Sequence, residues 1–149
     1  YTQLKPVLFE SPTYSYLATG EVIGKCLNLD KEPGMCAKLP MTDDGIVRLS
    51  KIEVWPKYLN EYMQYANEVG EISLRTEPGV LTMYAVREKE NPCMVTILET
   101  YASKEAYESH IASKHFQKYK QGTLHMVKTL ILTDQKPLNS ANRINNFIQ

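Results

Sequence analysis

The chain has few residues of the kinds that hold metals or cofactors. Its 149 residues include only 3 cysteines and 3 histidines, and no CxxC or mixed Cys/His ligand spacing occurs. A zinc site built on cysteines is therefore not expected. No GxGxxG, P-loop or nucleophile elbow is present, so no known motif supports nucleotide or flavin binding.

The chain also lacks net charge. Lys plus Arg and Asp plus Glu number 17 each, so there is no electrostatic drive toward nucleic acid or an anionic membrane. A neutral protein associates with itself more readily, which favours an oligomer. No apolar run is long enough to cross a bilayer, and no membrane span is predicted.

The cysteines leave the compartment open. Cys93 begins an apolar run and is expected to be a buried small hydrophobe. Cys26 and Cys36 are candidates for a disulfide in an oxidising compartment, which would leave Cys93 unpaired. The sequence begins without Met, as expected of a trimmed or processed chain. The sequence therefore leaves the location unknown, with the cytoplasm or, if the chain is a processed mature form, the periplasm as the two options.

Residues 46–133 predict one compact β-α-β-β-α-β unit. The expected strands are 46–54, 80–87, 93–101 and 126–132, each rich in β-branched or other apolar residues. The first helix begins at Pro56, is perturbed at Gly70, and ends at the turn 77–79. Ser103 caps the second helix, and a further helical piece, 115–121, is closed by Gly122.

The two ends of the chain read differently from this unit. Residues 1–45 are punctuated by Pro and Gly every few residues, which indicates an extended arm packed on the domain or on a partner subunit. Within the arm, 14–18 and 21–27 are strand-like, and 42–45 is a turn that closes it. Residues 134–149 show no period and are interpreted as a tail.

The predicted strands are apolar on both faces. In a sheet with one face in water, polar and apolar residues alternate along each strand. Here successive residues, which point to opposite faces, are all apolar or aromatic, as in Met83, Tyr84, Ala85 and Val86. Right-handed crossovers place both helices on one face. The other face then requires a partner, and a second copy of the same sheet is the simplest one, so a homodimer is predicted.

Two of the three histidines, His110 and His115, lie close together in the second helical region. Histidine titrates near neutrality and suits proton transfer. On an unbroken helix, five residues turn about 500°, which leaves the rings roughly 140° apart, a poor chelate. No metal site is therefore predicted. His110 is interpreted as a core residue paired with Glu99, and His115, beside Phe116, as the edge of a pocket.

Arg48 on the first strand has two interpretations of equal weight. It either supplies positive charge to a ligand oxygen or is an exposed strand residue.

Residues of the second helical region resemble the antibiotic biosynthesis monooxygenase (ABM) family, and most of all its quinol monooxygenase branch. The resemblance covers roughly residues 46–133. It rests on Leu98-Glu99-Thr100-Tyr101-Ala102-Ser103-Lys104-Glu105-Ala106-Tyr107-Glu108-Ser109-His110, on His115-Phe116-Gln117-Lys118-Tyr119 and on Glu77-Pro78-Gly79-Val80. It implies a ferredoxin-like α+β fold in a dimeric α/β barrel.

The resemblance further implies oxidation of a quinol or similar small aromatic by dioxygen without a cofactor. His115 or His110 would then be the base, and Arg48 or a tyrosine hydroxyl would stabilise the developing oxyanion. The residues expected to orient the ring are Tyr119, Tyr101 and Tyr84. Haem degradation is disfavoured, since Val47, Tyr101 and Lys120 stand where haem-degrading relatives carry other residues.

Two alternatives to a monooxygenase stay open at the level of sequence. The same fold hosts isomerases that need no cofactor, and a dimer that binds a small ligand without catalysis is also compatible with these residues.

Overall fold

The computed structural model of the chain describes residues 20–24, by their backbone alone, and residues 34–136. Their elements in chain order are β1 Gly20–Gly24, β2 Ile46–Val54, a 3₁₀ turn Pro56–Tyr58, α1 Leu59–Thr76, β3 Val80–Glu88, β4 Met94–Tyr101, α2 Lys104–Ala112, α3 Lys114–Thr123 and β5 Val127–Gln135. From residue 46 onward this is the predicted β-α-β-β-α-β order, with the second helix in two pieces.

The predicted strands are confirmed within a few residues. β2 begins and ends where its β-branched run predicts. β5 continues to Gln135, beyond the predicted end at 132, because it pairs along β2 as far as Val47. Cys93 lies just before β4 and is only half-buried, so the expectation of a buried strand residue is wrong. Cys26 lies outside the described residues, and its disulfide stays a prediction.

The spacing of the apolar residues at positions 59, 62, 63, 66 and 69 predicts one apolar face on helix α1, and the structure confirms it. Tyr62 and Val69 are buried on that face, and Ala66 packs against the core. The predicted disturbance at Gly70 is wrong, since the helix continues unbroken to Thr76. One glycine in a helix costs only about 1 kcal/mol relative to alanine, which the packing of the surrounding turns outweighs. Glu77, with extended backbone, ends the helix as predicted.

A single residue separates α2 from α3. Ser113 has φ −65° and ψ 150°, an extended conformation that ends α2. Its hydroxyl accepts a hydrogen bond from the backbone N–H of Phe116 and so caps α3. Ser103 caps α2 as predicted. α3 does not close at Gly122 but continues to Thr123.

The sheet has the strand order β1-β3-β4-β2-β5, and its pairs are antiparallel. Without β1, this is the order of the ferredoxin-like α+β fold. The helices pack on one face, here called the inner face, as right-handed crossovers require. Buried residues of α1 join residues of the sheet in two core clusters. The first contains Ile52, Val54, Tyr62, Val95 and Met126, which lies just before β5, and the second contains Leu74, Val80 and Tyr101.

The other face of the sheet, here called the outer face, is not covered by the described residues of the same chain. Tyr84 and Leu98 are cross-strand partners on it, and each is 38% exposed. Ile131 of β5 lies on the same face and is 58% exposed. The apolar outer face was predicted from the strand parity, and the homodimer that would cover it stays a prediction.

Residues 34–45 run past the C-terminal end of α1. The backbone N–H of Cys36 donates to the carbonyl of Arg75, and that of Leu39 donates to Pro78. The predicted turn at 42–45 is confirmed by a 3.0 Å hydrogen bond from Gly45 N to Thr42 O. The strand-like run 14–18 and the tail from 137 lie outside the described residues, and the domain boundaries stay predictions. None of the helices α1 to α3 is long and apolar enough to cross a membrane.

Candidate active site

A cavity of about 650 Å³ lies between the helices and the inner face of the sheet. Strands β2 to β5 form its floor, α1 forms one wall, and α2 with α3 forms another. Aromatic side chains line it at Tyr101, Tyr107, Phe116 and Tyr119. A ring system therefore finds both an apolar surface and hydroxyl groups within the same space.

Most of the residues singled out from the sequence meet in this cavity. The ones that line it are Arg48, Glu99, Tyr101, His110, Phe116 and Tyr119. Tyr84 lies on the outer face, opposite Leu98, and does not reach the cavity of its own chain. His115 lies behind the wall rather than on it. The two histidines thus occupy the reverse of their expected positions, with the buried His110 on the cavity.

One carboxylate joins the two histidines. Oε1 of Glu77 lies 2.9 Å from Nδ1 of His110 and 2.5 Å from Nε2 of His115. The Ser113 hydroxyl lies 3.1 Å from the same nitrogen of His115. These three side chains are here called the Glu77 cluster. The His110 side chain is 1% exposed, that of His115 is 18% exposed and that of Glu77 is 16% exposed.

The expectation that the two histidines diverge assumed one unbroken helix. The extended backbone of Ser113 interrupts that helix, so the 140° argument does not apply. A ring nitrogen of each histidine instead approaches the same oxygen atom.

The charge of Glu77 fixes which nitrogen of His110 is free. Burial raises the pKa of Glu77, but hydrogen bonds from both imidazoles outweigh it and hold that pKa below its ordinary value. An ionised carboxylate only accepts hydrogen bonds, so Nδ1 of His110 must donate. In the neutral imidazole the other nitrogen, Nε2, is then a hydrogen-bond acceptor on a ring that lines the cavity.

A second carboxylate, Glu99, organises the floor of the cavity. The Ser50 hydroxyl donates to one of its oxygens at 2.6 Å, and the Tyr101 hydroxyl donates to the other at 2.8 Å. Burial, together with the charge of Glu99, raises the pKa of Tyr101. The expected pairing of Glu99 with His110 is wrong, because Glu77 from the α1–β3 turn reaches the histidine instead.

Arg48 adds positive charge to the polar end of the cavity. Its Nε donates to Oδ1 of Asp134 at 2.7 Å, and its guanidinium lies 4.6 Å from the ring centroid of Tyr107. The hydrogen bond to Asp134 raises the pKa of Arg48, so the group is charged at any working pH. Of its two interpretations, the exposed strand residue is wrong, since the side chain is 13% exposed and lines the cavity.

Tyr119 of α3 lines the cavity and pairs with Tyr62 of α1, which is not part of the lining. The hydroxyls of Tyr62 and Tyr119 lie 2.8 Å apart, and their rings meet edge to face. Removal from solvent raises the pKa of both hydroxyls. They are therefore neutral hydrogen-bonding groups at physiological pH.

Reasoning from the sequence missed Glu77, Tyr107 and Tyr62 as site residues. Glu77 looked like the first residue of a Glu-Pro-Gly turn, and no local pattern ties it to histidines 33 and 38 positions away. The sequence places Tyr107 on the inner face of the second helix and Tyr62 on the apolar face of the first, and neither pattern by itself indicates a site residue. The one signal in the sequence that could have indicated both tyrosines as site residues is a hydroxyl group on the buried face of a helix.

Comparison with known proteins agrees with this architecture. Residues 45–122 match the sequence model of the family described as antibiotic biosynthesis monooxygenase. None of the curated proteins compared with the chain matches it.

Solved structures extend the comparison. A candidate antibiotic biosynthesis monooxygenase from Bacteroides thetaiotaomicron is 56% identical, with a TM-score of 0.64, over 65% of this chain and 92% of that one. A candidate monooxygenase from Lactobacillus acidophilus is 27% identical, with a TM-score of 0.60, over 64% of this chain and 45% of that one. A further candidate of the antibiotic biosynthesis type, from Caulobacter crescentus, shares the fold at 18% identity and a TM-score of 0.60, over 64% of this chain and 92% of that one.

The fold and the cavity define a ferredoxin-like α+β protein with an aromatic-lined site between helices and sheet. Because more than half of the chain matches the family model and the Bacteroides thetaiotaomicron protein is 56% identical, the chain belongs to the antibiotic biosynthesis monooxygenase family. The family match and the similar solved structures support a function of the monooxygenase type.

Proposed function

We propose that the protein oxidises a quinol or a similar electron-rich aromatic with dioxygen, without a resident cofactor. The observation that carries the proposal is the position of His110, which lines an aromatic cavity while Glu77 holds its Nδ1. That arrangement leaves Nε2 to accept a proton from a phenolic hydroxyl.

The proposed substrate matches the aromatic and the polar residues that line the cavity. Its ring would lie among Tyr101, Phe116 and Tyr119, which supply an apolar surface with hydroxyl groups at its rim. One ring hydroxyl would face His110, and the oxygen that becomes negative would face Arg48. The lining thus supports a planar aromatic with oxygen substituents.

The reaction balances without another redox partner. His110 takes the hydroxyl proton, and the resulting anion passes one electron to dioxygen, giving an aromatic radical and superoxide. These combine through a new carbon–oxygen bond, and the peroxide takes back the proton. Cleavage of its O–O bond, with loss of the ring hydrogen, releases water and leaves a carbonyl. One oxygen atom enters the product and the other leaves as water, so dioxygen is the sole oxidant.

The protein is further proposed to work as a homodimer. The outer face of the sheet carries Tyr84, Leu98 and Ile131 with apolar surface uncovered. A second copy placing the same face against it would bury that surface on both chains.

Oxygen uptake tests the proposed activity. Protein freed of metals and flavin would be mixed anaerobically with a panel of hydroquinones and then exposed to oxygen. We expect substrate-dependent uptake that falls by about 10²–10⁴-fold in His110→Ala, the range for a lost general base.

His125→Ala is the matched control, because this exposed histidine contacts Tyr58 away from the cavity. Absence of uptake in the wild type with the whole panel, or equal uptake in His110→Ala, would exclude the proposal. Turnover of a substrate without oxygen would favour an isomerase instead.

A further inference from the structure

The Glu77 cluster presents three metal-ligating atoms to one point. Oε1 of Glu77, Nδ1 of His110 and Nε2 of His115 all lie within 4.8 Å of one another. They come from three separate pieces of the fold: the α1–β3 turn, the end of α2 and the start of α3. We propose that these three residues form a binding site for a divalent transition-metal ion of the Zn²⁺ class.

The donor set fits that class of ion. Two imidazoles and one carboxylate are ligands that Zn²⁺, Fe²⁺ and Mn²⁺ accept, whereas Ca²⁺ and Mg²⁺ prefer oxygen alone. Three protein ligands leave coordination positions for water. The cluster is mostly buried yet not sealed, since the His115 and Glu77 side chains keep 18% and 16% of their surface.

The fold holds the ligands in place before any ion arrives. A Cβ on Gly79 would lie 2.4 Å from Cβ of Ala106, so the glycine lets the α1–β3 turn approach α2 closely and brings Glu77 to His110. Lys38 donates to the backbone carbonyl of Glu77 at 2.9 Å, which holds the turn from the other side. Ser113 sets the direction in which His115 enters the cluster.

Ion binding would change what His110 offers to the cavity. An ion takes the lone pair of Nδ1, so the single proton of the neutral ring moves to Nε2. Nε2 then donates a hydrogen bond and no longer accepts a proton. Metal binding by itself does not depend on the proposed reaction, whereas the resulting inhibition rests on His110 acting as its base.

Metal binding can be measured without any substrate. Chelator-treated protein would be titrated with zinc chloride by isothermal calorimetry, and the zinc retained after dialysis would be counted by mass spectrometry. We expect one zinc per chain in the wild type and an affinity weakened by more than about tenfold in His115→Ala and in Glu77→Gln. His125→Ala, at the exposed third histidine, should bind as the wild type does.

Circular dichroism would show that each variant is folded, and His115→Asn would replace His115→Ala if the smaller residue unfolds the chain. Absence of zinc binding by the wild type, or equal binding by folded His115 and Glu77 variants, would overturn the metal site and leave a cluster held by hydrogen bonds. The oxygen-uptake assay then serves as a separate readout. Zinc bound at the cluster without slower uptake would overturn the role of His110 as base, not the metal site.

Discussion

Nδ1 of His110 lies 2.9 Å from Oε1 of Glu77, although the two residues are 33 positions apart in the chain. The imidazole is almost fully buried, so the carboxylate satisfies a group that water cannot reach. Glu77 therefore contributes to the stability of the fold as well as to the orientation of a cavity residue.

Replacing Glu77 by Gln should destabilise the protein. The amide loses the charge that strengthens hydrogen bonds from both histidines, and we expect a loss of about 1–3 kcal/mol in the free energy of unfolding. Urea denaturation followed by circular dichroism measures it. Glu71→Gln is the control, because within the described part of the chain this exposed carboxylate pairs with Arg75 on the same helix, and a change within about 0.5 kcal/mol is expected there. Equal effects of the two substitutions would contradict the special role of Glu77.

Two helical glycines should respond to alanine in opposite directions. A Cβ at Gly122 would lie 2.5 Å from Cε1 of Tyr65, so Gly122→Ala forces that ring to move, at an expected cost of about 1–3 kcal/mol. Among the residues that the structure describes, a Cβ at Gly70 would meet no atom within 4 Å, so Gly70→Ala should stabilise α1 by about 0.5–1 kcal/mol. Thermal unfolding of both variants and of the wild type shows whether each substitution raises or lowers the melting temperature. A stabilised Gly122→Ala would show that the contact with Tyr65 is not tight.

Alkaline pH should destabilise the fold through its buried tyrosines. In the unfolded chain, a tyrosine loses its proton near pH 10, whereas burial raises the pKa of Tyr62, Tyr101 and Tyr119 in the fold. Above about pH 10 the unfolded state binds fewer protons than the folded state, so the free energy of unfolding falls as pH rises. Below about pH 10 the contribution of the buried tyrosines to stability is fully present. Tyrosinate absorbance followed against pH should show part of the tyrosines ionising only as the protein unfolds. Tyr62→Phe should reduce the pH dependence, and a wild type whose tyrosines all ionise reversibly near pH 10 would refute the prediction.

A charged residue placed on the outer face of the sheet tests whether that face is the proposed dimer interface. Leu98→Asp places a carboxylate at the centre of the apolar surface shared with Tyr84, and burial of that charge in a dimer is strongly unfavourable. We expect the mass from multi-angle light scattering to fall from a dimer to a monomer. Leu124→Asp is the control, since Leu124 is 76% exposed at the end of α3, away from this face. A wild type that is monomeric at micromolar concentration would exclude the proposed dimer.

Much of the secondary structure could be predicted because its causes are local. The β-branched run of β2, the apolar spacing of α1 and the Ser103 cap each act within a few residues, and all three are confirmed. Gly70 and Gly122 were wrongly expected to perturb or end helices, because propensity alone takes no account of the packing around each position.

The sequence by itself determined the β-α-β-β-α-β order, the family, the apolar outer face and the presence of two histidines in one helical region. Only the tertiary structure decided which histidine lines the cavity and which residue binds both. The reason is physical: the break at Ser113 turns α3 relative to α2, and the packing of the α1–β3 turn against α2 brings Glu77 to His110 and His115. Contacts made across 33 and 38 positions leave no local pattern in the chain.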